Sequence, residues 1–291
     1  MDHHDYINKN KLAWNERAKI HINSVFYNQA KFLQGENSMK EIELSLLGDV
    51  KGKKILHLQC HFGQDTLSLA RMGAKVTGVD LSDEAIGMAR NAAKQLQLDA
   101  NFICCDLYNL PEHLNEQFDM VFTTYGTIGW LPDIDRWAAI VSKYLKPQGE
   151  FIFAEFHPVV WMLDNDLQQI TYRYFKDEAI IEELEGTYAD KSAAVKLETV
   201  SWNHSLSEVI QSLLDQNLEL LSFREFDYSP YDVFPNSVEI APSRFQVQHL
   251  ENKIPMVYSL KMIRLKKRLC KTSRMHKREY SRLRIIHHIH R

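Results

Sequence analysis

Residues 54–83 constrain the fold more strongly than any other stretch of the chain. A mostly apolar run at 55–58 predicts a strand, a turn at Gly63 leads into a helical pattern, and a second apolar run at 76–79 ends at Asp80. Together these elements form a β-α-β unit, whose ligand crevice lies at the carboxyl ends of its strands. An acid at that edge can accept hydrogen bonds from the ribose hydroxyls of an adenosine-containing cofactor.

The turn at 59–63 distinguishes between two kinds of cofactor. A nicotinamide dinucleotide site requires the pattern G-x-G-x-x-G, because its pyrophosphate approaches bare backbone. Here Gly63 is the single glycine, and Gln59 and His61 bring bulky side chains into the turn. A nicotinamide-dependent oxidoreductase is therefore the less favoured alternative. A sulfonium cofactor carries no phosphate and needs less bare backbone.

Four motifs in order resemble those of the class I S-adenosylmethionine-dependent methyltransferases, the small-molecule branch in particular. They are 57–63, 78–82, 104–107 and 118–122, and the likeness spans roughly residues 10–265. The resemblance implies an α/β fold with a Rossmann-like seven-stranded sheet, mostly parallel, in which strand seven is antiparallel. It also implies S-adenosylmethionine as the cofactor, S-adenosylhomocysteine as its product, and methyl transfer to a small-molecule acceptor.

The resemblance further implies contacts between individual residues and the cofactor. Asp80 matches the family's ribose-binding acid, and Asp106 matches the residue that holds the adenine amino group. The family's leading acid, which helps to hold the cofactor's ammonium group, is His57 in this chain, so that role is not carried over. The cofactor residues that we predict are Trp14, Arg17, Tyr27, Gln59, His61, Gly63, Asp80, Leu81, Asp106, Leu107 and Tyr125.

The chain is expected to consist of three parts. Residues 1–47 form an N-terminal helical segment over the cofactor, in which Arg17 pairs with the cofactor's carboxylate. In that segment Trp14 either covers the methionine end or is a core aromatic. Residues 48–265 form the methyltransferase domain, and the insertion at 159–204 is predicted as a small antiparallel β lid after strand five.

Three residues are candidates for catalysis. His157 is our preferred base, because an imidazole titrates near neutrality and this one follows a strand at the sheet edge. The alternative is a histidine that bonds backbone in a turn. Glu155 and His204 are further candidates, and Trp130 and Tyr231 are predicted to contact the substrate. A base is optional, because orientation alone supplies much of the acceleration in methyl transfer.

Composition argues against several other classes of protein. No apolar run approaches the roughly 18 residues that a membrane helix needs, and the chain starts with polar residues, so we expect a cytoplasmic protein without a membrane partner. The four cysteines show neither disulfide nor metal spacing, so no metal is expected. The chain also contains no P-loop and no Ser-His-Asp pattern.

Charge is distributed unevenly along the chain. Residues 261–291 hold twelve Lys/Arg and one acid, whereas the other 260 residues hold 23 basic and 37 acidic groups. The basic tail at 266–291 is the only hint of nucleic-acid binding, which is otherwise disfavoured, and we expect it to be disordered. The chain is expected to be a monomer or homodimer. A protein that binds S-adenosylmethionine without transferring its methyl group remains an alternative.

Overall fold

The computed structural model describes residues 3–266, so all but the first residue of the predicted basic tail lies outside the described residues. The helices are α1 (His3–His21), α2 (Gln29–Leu33), α3 (Glu41–Leu47), α4 (Gln64–Arg71), α5 (Asp83–Leu96), α6 (Leu110–His113), α7 (Ile134–Tyr144) and α8 (Leu206–Asp215). The strands are β1 (Lys54–Leu58), β2 (Lys75–Asp80), β3 (Ala100–Cys104), β4 (Phe118–Thr124), β5 (Leu145–Phe156), β6 (Ile180–Glu185), β7 (Lys196–Ser201), β8 (Leu218–Phe226), β9 (Ser237–Ala241), β10 (Arg244–Val247) and β11 (Val257–Arg264).

Seven of the strands form one mixed sheet, in the order β3-β2-β1-β4-β5-β11-β8. Neighbouring strands are parallel except that β11 runs antiparallel to both β5 and β8. The chain order reverses between β1 and β4, and ligands bind open α/β sheets at such a switch point. The predicted fold class, with its antiparallel seventh strand, is confirmed.

The sheet is covered on both faces, which explains why its central strands read as nearly continuous apolar runs. Leu56 and Leu58 pack into a core cluster with residues of α7 and α8. Ile55 belongs instead to a second cluster with residues of α3 and α4. This division follows from the alternation of side chains along a strand.

Several predicted elements differ from the observed ones. Within the predicted β lid at 159–204, residues 170–175 form no strand and make one isolated bridge, between Ile170 and Leu163. Ile170 and Phe175 are exposed there. The predicted N-terminal helical segment at 1–47 contains three separate helices, α1, α2 and α3, and the connection after β8 contains the hairpin of β9 and β10.

The insertion after β5 contains a separate antiparallel hairpin of β6 and β7. Helix α1 holds it in place, because the Asn10 side chain donates to the Val200 carbonyl at 2.8 Å and accepts from the Val200 amide at 2.9 Å. Asn15 of the same helix contacts the start of α5, where it accepts a hydrogen bond from Ser82. Helix α1 therefore connects the hairpin to the carboxyl edge of the sheet.

Candidate functional site

A cavity of about 720 Å³ lies among the loops that follow β1, β2, β4 and β5, under α1 and the β6–β7 hairpin. This volume falls within the range of about 300–1,000 Å³ that ligand sites occupy. Among the residues lining it are all those predicted to contact cofactor or substrate: Trp14, Arg17, Tyr27, Gln59, His61, Gly63, Asp80, Leu81, Asp106, Leu107, Tyr125, Trp130 and Tyr231.

The turn after β1 keeps a glycine-like path although it has lost two glycines. Gln59 and His61 adopt φ angles of 54° and 52°, and Gly63 follows at 78°. A left-handed conformation costs a residue other than glycine roughly 1–2 kcal/mol. The Gln59 side chain compensates in part, because its amide donates to the Thr127 carbonyl at 2.8 Å and ties this turn to the loop after β4.

Asp80 lies at the end of β2, where a ribose-binding acid is expected. Its Oδ2 accepts from the His61 amide at 2.8 Å, and its Oδ1 accepts from the Ser82 amide at 2.9 Å. Burial raises the pKa of Asp80, while these hydrogen bonds counteract that effect. An ionised carboxylate has about four lone-pair sites, so the two oxygens can still accept ligand hydroxyls.

Arg17 is a buried cation that lines the cavity and forms no ion pair within the described part of the chain. Its guanidinium lies 5.0 Å from the ring centre of Trp14 and 5.3 Å from that of Trp130. Its Nε has no hydrogen-bond partner among the described residues. Burial lowers the pKa of Arg17, but a guanidinium stays charged in proteins. An anionic ligand group would complete this environment.

Further polar atoms without hydrogen-bond partners among the described residues lie around Arg17. They are Nε2 of His61, both ring nitrogens of His21 and Oε1 of Gln59. The two imidazole centres are 5.3 Å apart, and burial lowers the pKa of both, to about 3 for His21. Both rings are therefore neutral near pH 7.

Sequence reasoning missed two residues of this region. His21 follows Arg17 by four residues, so the two share one face of α1, and this spacing was a usable signal. Tyr188 comes from the hairpin insertion, and its hydroxyl lies 2.5 Å from that of Tyr27. No local signal connects residues so far apart in the chain.

Glu155 lines the cavity, but its carboxylate serves the backbone rather than a proton transfer. Its oxygens accept from the amides of Gly126, Thr127, Ile128 and Phe156 and from the Thr127 hydroxyl. These bonds hold the loop after β4 against the cavity. Glu155 is therefore a residue that positions this loop, and the geometry does not support its predicted catalytic role.

The two candidate histidines are also engaged elsewhere. His157 is not among the residues that line the cavity; its Nε2 lies 2.9 Å from Glu225 of β8, and its Nδ1 accepts from the Val159 amide. His204 lines the cavity, but its Nε2 lies 2.8 Å from the Leu131 carbonyl and its Nδ1 lies 3.2 Å from Glu208. His157 thus lies outside the cavity lining, both histidines bond other parts of the fold, and their role as bases stays a prediction.

One side of the cavity is aromatic, and a buried acid behind its lining, Glu43, was missed by sequence reasoning. Tyr125 and Tyr231 pack at 5.2 Å between ring centres. Both hydroxyls donate to Glu43, at 2.8 and 3.3 Å, and burial raises the pKa of this carboxyl. The further aromatic residues that line the same cavity include Phe26, Phe156, Trp161 and Phe234.

Metal centres and membrane spans are two further features to consider in residues 3–266. Within residues 3–266, no group of three or more His, Cys, Asp and Glu side chains is arranged to hold a metal ion. None of the helices in that part of the chain is both long and apolar enough to cross a membrane.

Comparison with known proteins agrees with this geometry. Residues 55–149 match the family model described as a methyltransferase domain. A ubiquinone biosynthesis O-methyltransferase of Coxiella burnetii is 35% identical over 105 residues, which cover 36% of this chain and 44% of that relative. The chain thus aligns with less than half the length of this relative.

Solved structures show the same architecture. An S-adenosylmethionine-dependent methyltransferase of Mesorhizobium loti superposes with a TM-score of 0.55 at 20% identity, over 80% of this chain and all of that one. DhpI, solved as its complex with S-adenosylhomocysteine, gives 0.52 at 18% identity, over 92% and 100%.

The fold and its cavity define a Rossmann-like α/β protein with a ligand site at the sheet's switch point. Residues 55–149 are thus similar to a methyltransferase domain, and the chain has the fold of solved S-adenosylmethionine-dependent methyltransferases.

Proposed function

We propose that this protein transfers the methyl group of S-adenosylmethionine to a small-molecule acceptor. The observation that carries the proposal is the buried Arg17 guanidinium, which lines the cavity without a carboxylate in direct contact among the described residues; Glu182 acts on its charge only from beyond ion-pair distance. Buried charges are normally paired, so a ligand carboxylate is its natural complement. In this arrangement Asp80 binds the ribose hydroxyls, and the Asp106–Leu107 segment contacts the adenine.

When bound, S-adenosylmethionine supplies an activated methyl group on a sulfonium. In the transfer, the acceptor atom would form a bond to the methyl carbon as the carbon–sulfur bond breaks, the electron pair of that bond would stay on sulfur, and the proton of a hydroxyl, thiol or amine acceptor would pass to solvent. The chain's part is to align the three atoms and exclude water. Helix α1, the loop after β4 and the β6–β7 hairpin surround the cavity and serve this purpose.

The lining of the acceptor side favours a flat or apolar acceptor. Tyr125 and Tyr231 present ring surface, and Phe26 lies 5.9 Å from the Tyr231 ring centre. Pockets of this kind bind apolar ligand bodies, and a few polar groups fix their orientation. None of the three candidate bases offers an unengaged atom to the cavity, so the acceptor reacts without a base from this set.

The proposal is tested by a search for turnover. Purified protein is incubated with S-adenosylmethionine and pools of small aromatic and apolar hydroxyl, thiol and amine compounds, and S-adenosylhomocysteine formation is measured. The proposal expects acceptor-dependent formation that Arg17→Met reduces. Protein that forms no S-adenosylhomocysteine above the acceptor-free level with any pool would contradict it.

A second candidate function is cofactor binding without transfer. It is favoured by one observation, namely that His157, Glu155 and His204 are all committed to structural hydrogen bonds. Tight S-adenosylhomocysteine binding together with no turnover in the acceptor pools would support this second candidate.

A further inference from the structure

The cavity contains a carboxylate whose charge no cation of the described chain neutralises by direct contact. Asp65 is the second residue of α4, and it lines the cavity beside the turn after β1. Its Oδ1 accepts from the Ser38 hydroxyl at 2.5 Å, and the Thr124 hydroxyl also bonds it. Within residues 3–266, Asp65 takes part in no ion pair.

The surroundings of Asp65 leave its charge incompletely balanced. Burial raises the pKa of this carboxyl, whereas the hydrogen bond from Ser38, the charge of Lys40 and the bond from Thr124 lower it. The two hydroxyl donors satisfy part of the carboxylate's hydrogen-bonding capacity but bring no positive charge. Asp65 is half-buried at the cavity wall, so a cationic ligand group in the cavity would supply the positive charge that these donors lack.

His57 occupies the position at which the resembled family has an acid, but it cannot supply a negative charge to a ligand cation. It is buried, and its Nδ1 lies 2.8 Å from the Thr66 hydroxyl. Burial lowers its pKa to about 3, so the ring is neutral near pH 7 and carries no negative charge. The ammonium group of the cofactor therefore has no countercharge at this position.

Asp65 and Arg17 both line this cavity, and Tyr27 lies between the elements that carry them. The Gln64 side chain, next to Asp65 in the chain, donates to the Tyr27 carbonyl at 3.0 Å. The Tyr27 ring stacks on that of His21, one helical turn after Arg17 on α1, with 5.4 Å between ring centres. The cavity therefore offers one anion and one cation, which are the two charges that a zwitterionic amino-acid group requires.

We propose that Asp65 binds the ammonium group of the cofactor's methionine part, in place of the acid that His57 has replaced. This inference rests on the proposed function. Arg17 binds the carboxylate of the same group. The start of α4 and the end of β4 then hold the amino-acid part between them, through Asp65 and its partner Thr124.

The experiment compares two ligands by calorimetric titration. One is S-adenosylhomocysteine, and the other is its analogue without the α-amino group, which keeps the carboxylate. Asp65→Asn keeps an acceptor for Ser38 but removes the charge. It should weaken binding of the first ligand by about tenfold or more, as expected for a lost hydrogen bond between charged groups, and change binding of the analogue by less than about twofold.

Glu43→Gln is the matched control, because Glu43 is also a buried carboxyl near Tyr125 but does not line the cavity. It should leave the ratio of the two affinities unchanged. If Glu43→Gln also weakened binding of S-adenosylhomocysteine but not of the analogue, the effect would belong to the general negative charge near the pocket. That result would overturn the assignment to Asp65. If Asp65→Asn does not melt cooperatively, Asp65→Ser takes its place.

Equal weakening of both ligands by Asp65→Asn, or no weakening of either, would overturn the inference and leave the proposed function intact. Wild-type protein that binds no S-adenosylhomocysteine would overturn both. The two failures are therefore distinguishable in one set of titrations.

Discussion

Arg17→Met should affect the ligand-free protein and the complex in opposite directions. Methionine keeps an apolar side chain between Trp14 and Trp130 but removes a buried charge that has no anionic partner among the described residues. Desolvating an ion costs several kcal/mol, and the two cation–π contacts return about 1–2 kcal/mol each. The ligand-free variant should therefore melt at the same temperature as the wild type or higher, by about 2–4 °C per kcal/mol gained.

The complex with S-adenosylhomocysteine should be weakened by Arg17→Met, because the substitution removes the cation that binds the ligand's carboxylate. A hydrogen bond to a charged group contributes roughly 1.5–3 kcal/mol, so S-adenosylhomocysteine should bind about 10-fold to 150-fold more weakly to Arg17→Met. The stabilisation that a saturating ligand gives should fall by a corresponding amount in thermal melts.

Arg136→Met is the matched control for this prediction. Its guanidinium also lies over an aromatic ring, 4.3 Å from the centre of Tyr108, but it is exposed and does not line the cavity. It should change neither the affinity nor the ligand-induced shift. If Arg17→Met instead lowers the ligand-free melting temperature and leaves the affinity unchanged, Arg17 is a structural residue and the reasoning fails.

Substitutions at four further positions test the ribose-binding acid, the predicted base, a buried histidine and the turn after β1. Asp80→Ala should weaken S-adenosylhomocysteine binding about tenfold or more in calorimetry, since a carboxylate–hydroxyl bond contributes roughly 1.5–3 kcal/mol; unchanged affinity would refute the ribose assignment. His157→Ala should leave affinity and turnover unchanged, because the ring lies outside the cavity lining, and a loss of turnover at unchanged affinity would restore it as a base. His57 has a pKa lowered to about 3, so its contribution to stability is present above about pH 6.5 and is lost as pH falls toward 3. His57→Gln should reduce the loss of unfolding free energy between about pH 7.5 and 5.5 by about 1.4 kcal/mol in urea titrations, and equal losses in both proteins would contradict this. Gln59→Gly should be more stable than Gln59→Ala by about 1 kcal/mol, because φ is positive at this position. At most positions alanine is the more stabilising of the two, so an Ala variant at least as stable as the Gly variant would contradict the turn geometry.

The parts of the fold that follow from local patterns could be read from the sequence. Helix α7 has apolar residues at helical spacing along its buried face, and Asp133 caps it by accepting from the Arg136 amide. Asp80 lies at the cavity because the end of a parallel strand next to the switch point must face the crevice. In each case the signal is contained within one element and its neighbours in the chain.

The orientation of individual side chains could not be read in the same way. Glu155 and His157 are two residues apart, so strand alternation alone would put both on one face. Strand β5 ends at Phe156, however, and the chain turns so that His157 meets Glu225 of β8 instead. Tyr188 reaches Tyr27 across 161 positions of sequence, a contact that only the packing of the hairpin against the rest of the fold determines.

The loss of the family's glycines was also ambiguous in the sequence. Gln59 and His61 suggested a changed pocket, yet both adopt left-handed backbone conformations that preserve the path of the turn. The strain and the compensating contacts of these side chains depend on loops remote in the chain, such as the one containing Thr127. Sequence alone therefore identified the departure but not its structural consequence.

The cavity should bind an adenosyl sulfonium cofactor rather than a dinucleotide. Calorimetric titration of the wild-type protein with S-adenosylhomocysteine, with NADH titrated separately, measures this choice of ligand. We expect micromolar binding of S-adenosylhomocysteine with a stoichiometry of one per chain, and no heat of binding from NADH. Binding of NADH alone would contradict it, as would the absence of binding by either ligand.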